Sequence, residues 1–569
     1  LVGSEMCIRD RFSTMQSNRI AGYTPSGRIG IRTGRWTLTA SGSGSFTPVA
    51  ESRFTETREQ AGQRLPFAGR SDSKSCTNYG RGHFSAVFDP TPKHTAGFDI
   101  EYTERSTHMP TLSRTTLGQT QSDSRYRQHM GGNTLTATAN YIWKIDTLGS
   151  QFKLIADYTR YTSHGDNSYH TTTSAPGTLR DSLYESSTGS VYDILTADAG
   201  LTRKLPHGLT LRAGLRYTRN GMADKSHYAA QTQGTWLALP EYSYDQHYTE
   251  QIGAAYASLE YSAGRWELSA GLRGEYTSVA SQAFGRSYFG LFPNVSVSRA
   301  LNALRTWLLV AQWSRNIERP AFPALNPARI RISDYSWQSG NPSLRPTYIH
   351  RFSLTAVWKY RYTLTVGGNL HHDLIREIAH RDATAPDAVY IRPENHYTEN
   401  HWFVAASVPA KITRWWNLSV NAVGVMQRIR LNSTDSPATH YLMFADATCS
   451  FTLPAGFFAE AVYRAQSRLY SGNSEVGPRH TLSATVKKQL FGKRLTLFCT
   501  LSNITGCDWE FASLTDGMRR TIDTGQAWSG RLWKVGAAWN FRTGKKFRAR
   551  TVESAAETQR KRLVKSTEQ

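Results

Sequence analysis

No stretch of this 569-residue chain approaches the roughly 18 consecutive apolar residues that mark a membrane-spanning helix. Cysteine is scarce: the five, at positions 7, 76, 449, 499 and 507, match no zinc or redox spacing and point to no thiol or structural-metal chemistry. Acidic residues are also in short supply, 44 against 67 Lys and Arg, which leaves a formal net charge of +23. That surplus raises nucleic-acid binding, but the basic residues are scattered along the chain and no recognition helix, zinc-ligand spacing or RNA-binding aromatic motif accompanies them. Catalytic motifs are missing as well. Gly42-Ser43-Gly44-Ser45 lacks the strand-to-helix setting of a nucleophile elbow, and it reads as a flexible strand end. His371 and His372 are consecutive in a strand pattern, so their side chains point to opposite faces and do not converge on one metal.

What the chain does have is rhythm. Ten very short turns recur, among them Arg32-Thr33-Gly34-Arg35, Leu205-Pro206-His207-Gly208, Ser262-Ala263-Gly264-Arg265 and Phe491-Gly492-Lys493-Arg494. Each lies between two segments that alternate apolar and polar residues, and long polar loops separate one pair from the next. In Trp266 to Tyr276 one face carries Trp266, Leu268, Ala270, Leu272, Gly274 and Tyr276, and the other Glu267, Ser269, Gly271, Arg273 and Glu275. A soluble sandwich buries large interlocking side chains on its inner faces. These apolar faces instead include Ala and Gly, end in aromatics, and stand opposite charges suited to a wet lumen. About ten residues of tilted strand cross the hydrocarbon layer, and half of every strand is polar, which is why the mean hydropathy of −0.49 resembles that of a soluble protein. The fold class expected is all-β: a transmembrane antiparallel β-barrel in the outer membrane, with short periplasmic turns and long extracellular loops.

Ten hairpins starting with a strand near Ile20 to Ile31, plus a last strand near Arg531 to Phe541, make about 21 visible strands. Single-chain barrels normally have an even number, and the first and last strands both run toward the periplasm. One outward strand is therefore expected upstream of Ile20, for a total of about 22, a count associated with transporters whose lumen is plugged. The opening Leu1 to Asp10 resembles a translated sequencing-adapter scar, so residues 1–12 are set apart as a non-native leader, 13–541 as the barrel and 542–569 as a basic tail projecting into the periplasm. Trp533, Val535, Ala537, Trp539 and Phe541 form the outward face of a terminal strand. On this layout Cys76 and Cys507 lie in extracellular segments where a bridge is chemically allowed; their pairing is left open. The positive charge reads either as a cationic lumen or loop surface that attracts anions together with contacts to anionic lipid head groups, or as ordinary solvation.

One loop is more specific. Between the strands around Trp307 to Ser314 and Arg351 to Val357 come Ser314-Arg315, Arg319-Pro320, Leu325-Asn326-Pro327, Gly340-Asn341-Pro342, Leu344 and Pro346, in order. This ordered set resembles the outer-membrane β-barrel family of Bacteroidetes-type TonB-dependent receptors, from which it departs at Thr347, where an acidic residue commonly follows the last Pro. The resemblance covers the barrel and implies a full-length protein with a plug domain absent from these residues. It further implies a periplasmic TonB partner drawing on the inner-membrane proton-motive force, and energised uptake of a solute through loops and lumen. Outer-membrane lipids and a surface lipoprotein are further expected partners. No cofactor, metal, nucleic acid or catalytic residue is expected, and the protein is not expected to be an enzyme; the alternative is a plugless passive pore or structural surface barrel.

The five prolines Pro320, Pro323, Pro327, Pro342 and Pro346 predict a rigid, folded-back loop. Within it Arg319, Pro320, Asn326, Pro327, Asp334, Gly340, Asn341 and Pro342 are the candidates for contact with a ligand or the plug, against internal turn structure as the plainer reading. Tyr335-Ser336-Trp337 suits stacking on a sugar or aromatic chelator, or anchoring at the membrane interface. Glu267 and Glu275 face the lumen, where Arg273 favours an ion pair over acid/base work.

Overall fold

The computed structural model describes residues 5–282, 284–333, 335–382, 385, 387–526, 529–543 and 552–563. It is a closed antiparallel barrel of 22 strands, each hydrogen-bonded to the next in sequence. Closure is made by the first strand, Glu5–Gln16, which pairs with the last, Leu532–Thr543, from Met6↔Thr543 to Gln16↔Trp533. This corrects the expected count of 21 visible strands. The outward strand expected to be absent is Glu5–Gln16, so the barrel begins within the stretch set apart as a leader and ahead of Ser13. Hydrogen bonding explains the assignment, because an unpaired strand edge has no partner in hydrocarbon. The segment also alternates as needed: Phe12 is 50% exposed on the outer face and Ser13 1% exposed on the inner.

All ten short turns join the strands expected of them. Several require the left-handed region that favours glycine, as at Gly34 (φ 55°), Gly208 (φ 74°) and Gly264 (φ 57°). Strand lengths are uneven around the wall. The seven strands from Trp36–Gln60 to Leu209–Thr232 run to between 24 and 29 residues, whereas Leu495–Ser502 has 8. About ten residues suffice to cross, so the long strands extend well past the membrane at the long-loop end.

The two faces separate as the alternation requires. Along Trp266–Ser281 the outward Trp266, Leu268, Leu272 and Tyr276 are exposed to lipid, while inward Glu275 and Thr277 are buried. Trp36, Trp143, Trp307, Trp358 and Trp539 ring the short-turn end, where amphipathic aromatics suit the interface. No helix among the described residues is long and apolar enough to cross a membrane.

Inside the barrel a small apolar core forms from Tyr192, Ile194, Met222, Tyr248 and Val279 of the wall with Phe322, Leu325 and Leu344 of the proline-rich loop. Leu563 of the C-terminal segment joins them. Here a second expectation is corrected. Residues 552–563 do not project into the periplasm; they run up inside the lumen, with Ala556 at 0%, Arg562 at 7% and Leu563 at 9% exposure. The reason is partner chemistry: Arg562 meets the buried carboxylate of Glu250 and the carbonyl of Pro320, and Leu563 meets the core. The four cysteines at 76, 449, 499 and 507 are unbridged.

Candidate lumenal binding site

The proline-rich loop leaves the wall after Trp307–Glu318, makes a single helical turn at Phe322–Leu325 and a small hairpin of Ile330–Ser333 with Ser336–Gln338, and rejoins the wall at Thr347–Trp358. It folds into the barrel mouth because its apolar residues are buried there: Phe322 is 1% exposed, Leu325 2% and Leu344 0%. Ser336–Gln338 adds a parallel pairing to Val389–Ile391 of the wall, fixing the hairpin across the mouth.

Most of the candidate residues in this loop hold it together. Asn326 Oδ1 accepts the Ala328 amide at 2.9 Å, an Asx turn. The Asn326 carbonyl accepts the Gly340 amide at 2.9 Å, and the Asn341 amide donates to the Ala324 carbonyl at 2.7 Å. Asn341 Nδ2 reaches the Pro393 carbonyl at 3.0 Å, and its Oδ1 accepts the Ser343 amide at 3.0 Å. Gly340 has no room for a side chain, since a Cβ there would lie 2.1 Å from the Asn326 carbonyl oxygen. Pro327 and Pro342 are half-buried and follow the two asparagines, fixing the backbone after each turn. Asp334 lies outside the described residues. Asn326, Gly340 and Asn341 thus come together as internal loop structure, with Asn326 and Gly340 also facing a cavity.

Arg319 behaves differently. Its Nη2 donates to Glu275 Oε2 at 2.7 Å and to Thr277 Oγ1 at 2.9 Å, and its Nε stands 3.8 Å from Glu250 Oε1. Arg273 pairs with the same Glu275, and Asn220 Nδ2 donates to Glu250 at 2.8 Å. The root of the loop is therefore clamped to two neighbouring wall strands by buried charge. Pro320, next to it, offers its carbonyl to Arg562 Nε at 2.9 Å. Tyr335 and Trp337 are half-buried in ring contacts across the barrel mouth, which corrects the expectation of anchoring at a membrane interface. Tyr335 meets the edge of Phe67 at 5.8 Å between ring centroids, and Trp337 stacks on Tyr242 at 6.2 Å with Arg331 against its ring.

Beside the loop lies a lumenal cavity of about 1120 Å³. Arg81, Glu101, Arg105 and Tyr161 of the wall face it opposite Asn326. Basic, acidic and phenolic groups thus line one water-accessible chamber, equipped to orient a polar, anionic or chelated solute. Sequence reasoning missed these wall residues and Glu250; only their inward parity on the strands marked them.

Higher up, Glu56 is enclosed by Arg58 and by Arg520, which donates at 2.8 Å. Burial alone would raise this carboxyl, but the arginines hold it below the ordinary carboxylate range. Arg520 also reaches Ser336 Oγ at 3.0 Å, tying the hairpin of the loop to the Met518–Gly525 strand that pairs with the upper end of Trp36–Gln60. Among the described residues no group of three or more His, Cys, Asp or Glu is placed to hold a metal ion. His371 turns its Nδ1 to the Glu399 carbonyl oxygen at 2.8 Å, whereas His372 is exposed beside Tyr397, on opposite faces as strand alternation requires.

Residues 143–537 match the family described as outer membrane protein beta-barrel family. No curated protein matches the chain. Among solved structures, the siderophore receptor PirA from Pseudomonas aeruginosa superposes with a TM-score of 0.55 at 12% identity, covering 95% of this chain and 80% of that one. A variant of the ferric enterobactin receptor PfeA from the same organism, in complex with enterobactin, gives 0.59 at 14%, covering 95% and 82%. The copper transporter OprC gives 0.59 at 11%, covering 94% and 81%. At these identities the likeness is one of fold.

Proposed function

For this chain, which belongs to the outer membrane protein β-barrel family and resides in the outer membrane, we propose the role of the barrel of a TonB-dependent receptor that takes up a solute with energy from the inner membrane. The observation that carries the proposal is the lumenal chamber of about 1120 Å³, polar and charged on its wall side and roofed by an infolded loop. A passive pore conducts best through an open lumen, whereas a receptor holds its solute and moves it when pulled. The fold likeness to siderophore receptors and a copper transporter lends support and suggests metal chelates as the first solutes to try. In this reading the full-length protein brings a plug domain and a TonB contact from outside these 569 residues. Outer-membrane lipids surround the wall, and a surface lipoprotein cooperates at the mouth. The protein works as a carrier, not an enzyme.

The test does not require the solute. The complete reading frame, translated from upstream DNA, is expressed in a Gram-negative host, and TonB is probed by site-specific photo-crosslinking. Crosslinks that vanish when the first periplasmic residues of the mature protein are scrambled are expected. A signal peptide joined directly to the first strand, with no TonB crosslink and steady conductance in planar bilayers, would replace the receptor with the passive pore.

A further inference from the structure

The C-terminal segment Val552–Leu563 follows a wall that is already complete, since the last strand ends at Thr543 with both edges paired. It nevertheless makes graded contacts up the lumen. Near the short-turn end Lys153 Nζ pairs with Glu553 at 2.7 Å. One step higher, the Ala555 amide donates to Asp157 Oδ2 at 2.7 Å, and that aspartate is 1% exposed. Higher again, Gln559 Oε1 accepts from Asn220 Nδ2 at 3.2 Å. At the top, Arg562 donates to Glu250, to the Pro320 carbonyl at 2.9 Å and to Gln559 at 2.9 Å, and lays its guanidinium over the Phe322 ring at 4.3 Å. Leu563 then fills the apolar core beside Phe322 and Leu325.

Two features mark this as a built site. Glu250 is 2% exposed, and without Arg562 its nearest cation is Arg319 Nε at 3.8 Å, which already serves Glu275. A buried carboxylate so placed is costly unless a second cation arrives. The contacts also alternate in kind, ion pair, backbone amide, side-chain amide, guanidinium and apolar end, so they specify both direction and register of the segment.

We propose that Val552–Leu563 is a built-in lumenal ligand of this barrel, inserted from the periplasmic side and latched by Arg562 on Glu250 and the root of the proline-rich loop, so that it narrows the channel and braces that loop. The inference does not rest on the receptor reading, although Arg560 and Leu563 also line the chamber that carries it; the conductance test reads the segment with or without TonB.

The test uses the refolded 569-residue chain in planar lipid bilayers, with folding checked by heat-modifiable migration in detergent gels. The parent is expected to conduct weakly. Arg562→Glu, which sets two carboxylates against each other, is expected to raise single-channel conductance severalfold. Ending the chain after Thr543, which leaves every barrel strand in place, is expected to do the same. A synthetic peptide of residues 552–563, added to the truncated barrel, should then block current from the short-turn side alone, and the same peptide with the Arg562→Glu change should not. Equal conductance in parent, Arg562→Glu and truncated chains overturns the proposal. Equal block by both peptides, or block from either side, overturns the latch. Should the truncated chain fail to refold, the full-length comparison decides alone.

Discussion

Replacing Arg319 with methionine tests whether buried charge, rather than turn geometry, holds the proline-rich loop in the barrel mouth. The side chain is 8% exposed and faces carboxylates that are 9% and 2% exposed, Glu275 at 2.7 Å and Glu250 at 3.8 Å. Removing one partner of a buried ion pair costs about 3–5 kcal/mol, because the other charge stays behind unpaired. Arg273 and Arg562 remain beside the same two carboxylates, so the loss belongs at the low end, about 3 kcal/mol. That corresponds to roughly a hundredfold in the folded-to-unfolded ratio. The assay is denaturant unfolding of the barrel in detergent or lipid vesicles, followed by tryptophan fluorescence. The double change Arg319→Met with Glu275→Gln is expected to recover a good part of the loss, since it removes the orphaned charge along with its partner. A single variant within about 0.5 kcal/mol of the parent would refute the reasoning, as that is the range of surface substitutions away from such features. A double variant no better than the single would place the loss in packing.

Gly340→Ala is expected to push the loop out of the mouth, because the new Cβ meets the Asn326 carbonyl oxygen at 2.1 Å and the Ala324 carbonyl oxygen at 2.7 Å. External protease on whole cells should then cut the loop, while Gly424→Ala, with nothing within 4 Å, leaves it resistant. Asp224 lies in the part of its strand that extends beyond the outer aromatic Tyr217, and burial, opposed by the Ser190 and Tyr192 hydroxyls, pushes its carboxyl up to about 6. A raised carboxyl costs stability once it ionises, so this contribution should improve as pH falls from about 6 toward the unfolded value near 3.8, and Asp224→Asn should abolish that slope in thermal unfolding at stepped pH. Glu399→Gln is expected to loosen the opposite wall, since Glu399, 0% exposed, accepts from Arg376 at 3.0 Å and from His401 and Gln427 at 2.8 Å each; hydrogen exchange along Val389–Lys411 reads the effect.

The wall was legible in the sequence because lipid imposes a period. Each strand shows hydrocarbon a face of Trp, Leu, Tyr or Ala at every second residue, and turns such as Ser262-Ala263-Gly264-Arg265 punctuate it, so strand number and direction follow from alternation and parity. Glu5–Gln16 escaped for a reason outside that rule: its likeness to an adapter scar set it aside although Phe12 and Ser13 alternate correctly. The lumen imposes no period. Arg319 contacts Glu275 across 44 residues and Arg562 contacts Glu250 across 312, and nothing in spacing announces either pair. Asn326, Gly340 and Asn341 were recognisable as turn chemistry, and that is how they act. Tyr335 and Trp337 misled as interface anchors because an aromatic at the membrane boundary and one half-buried across the barrel mouth have the same local sequence.

The surplus of positive charge finds a partial account in the same place. A buried carboxylate presents several lone pairs, and satisfying them away from water takes more than one donor group. In this barrel the buried or half-buried Glu56 stands between Arg58 and Arg520, Glu250 between Arg319 and Arg562, Glu275 between Arg273 and Arg319, and Glu475 between Arg468 and Arg519. This arrangement of seven arginines around four carboxylates, with Arg319 shared, leaves an excess of positive charge without any polyanionic partner. It also explains why the charge is scattered: each arginine is placed by the strand or loop it ties to a neighbour. Arg319 serves two carboxylates at once, and Arg562 comes from beyond the wall, so the acidic pair Glu250 and Glu275 is where wall, loop and C-terminal segment are joined. Any movement of the loop relative to the wall must therefore break or carry with it the Arg319 contacts, which makes this cluster the point where such a movement would be held or released.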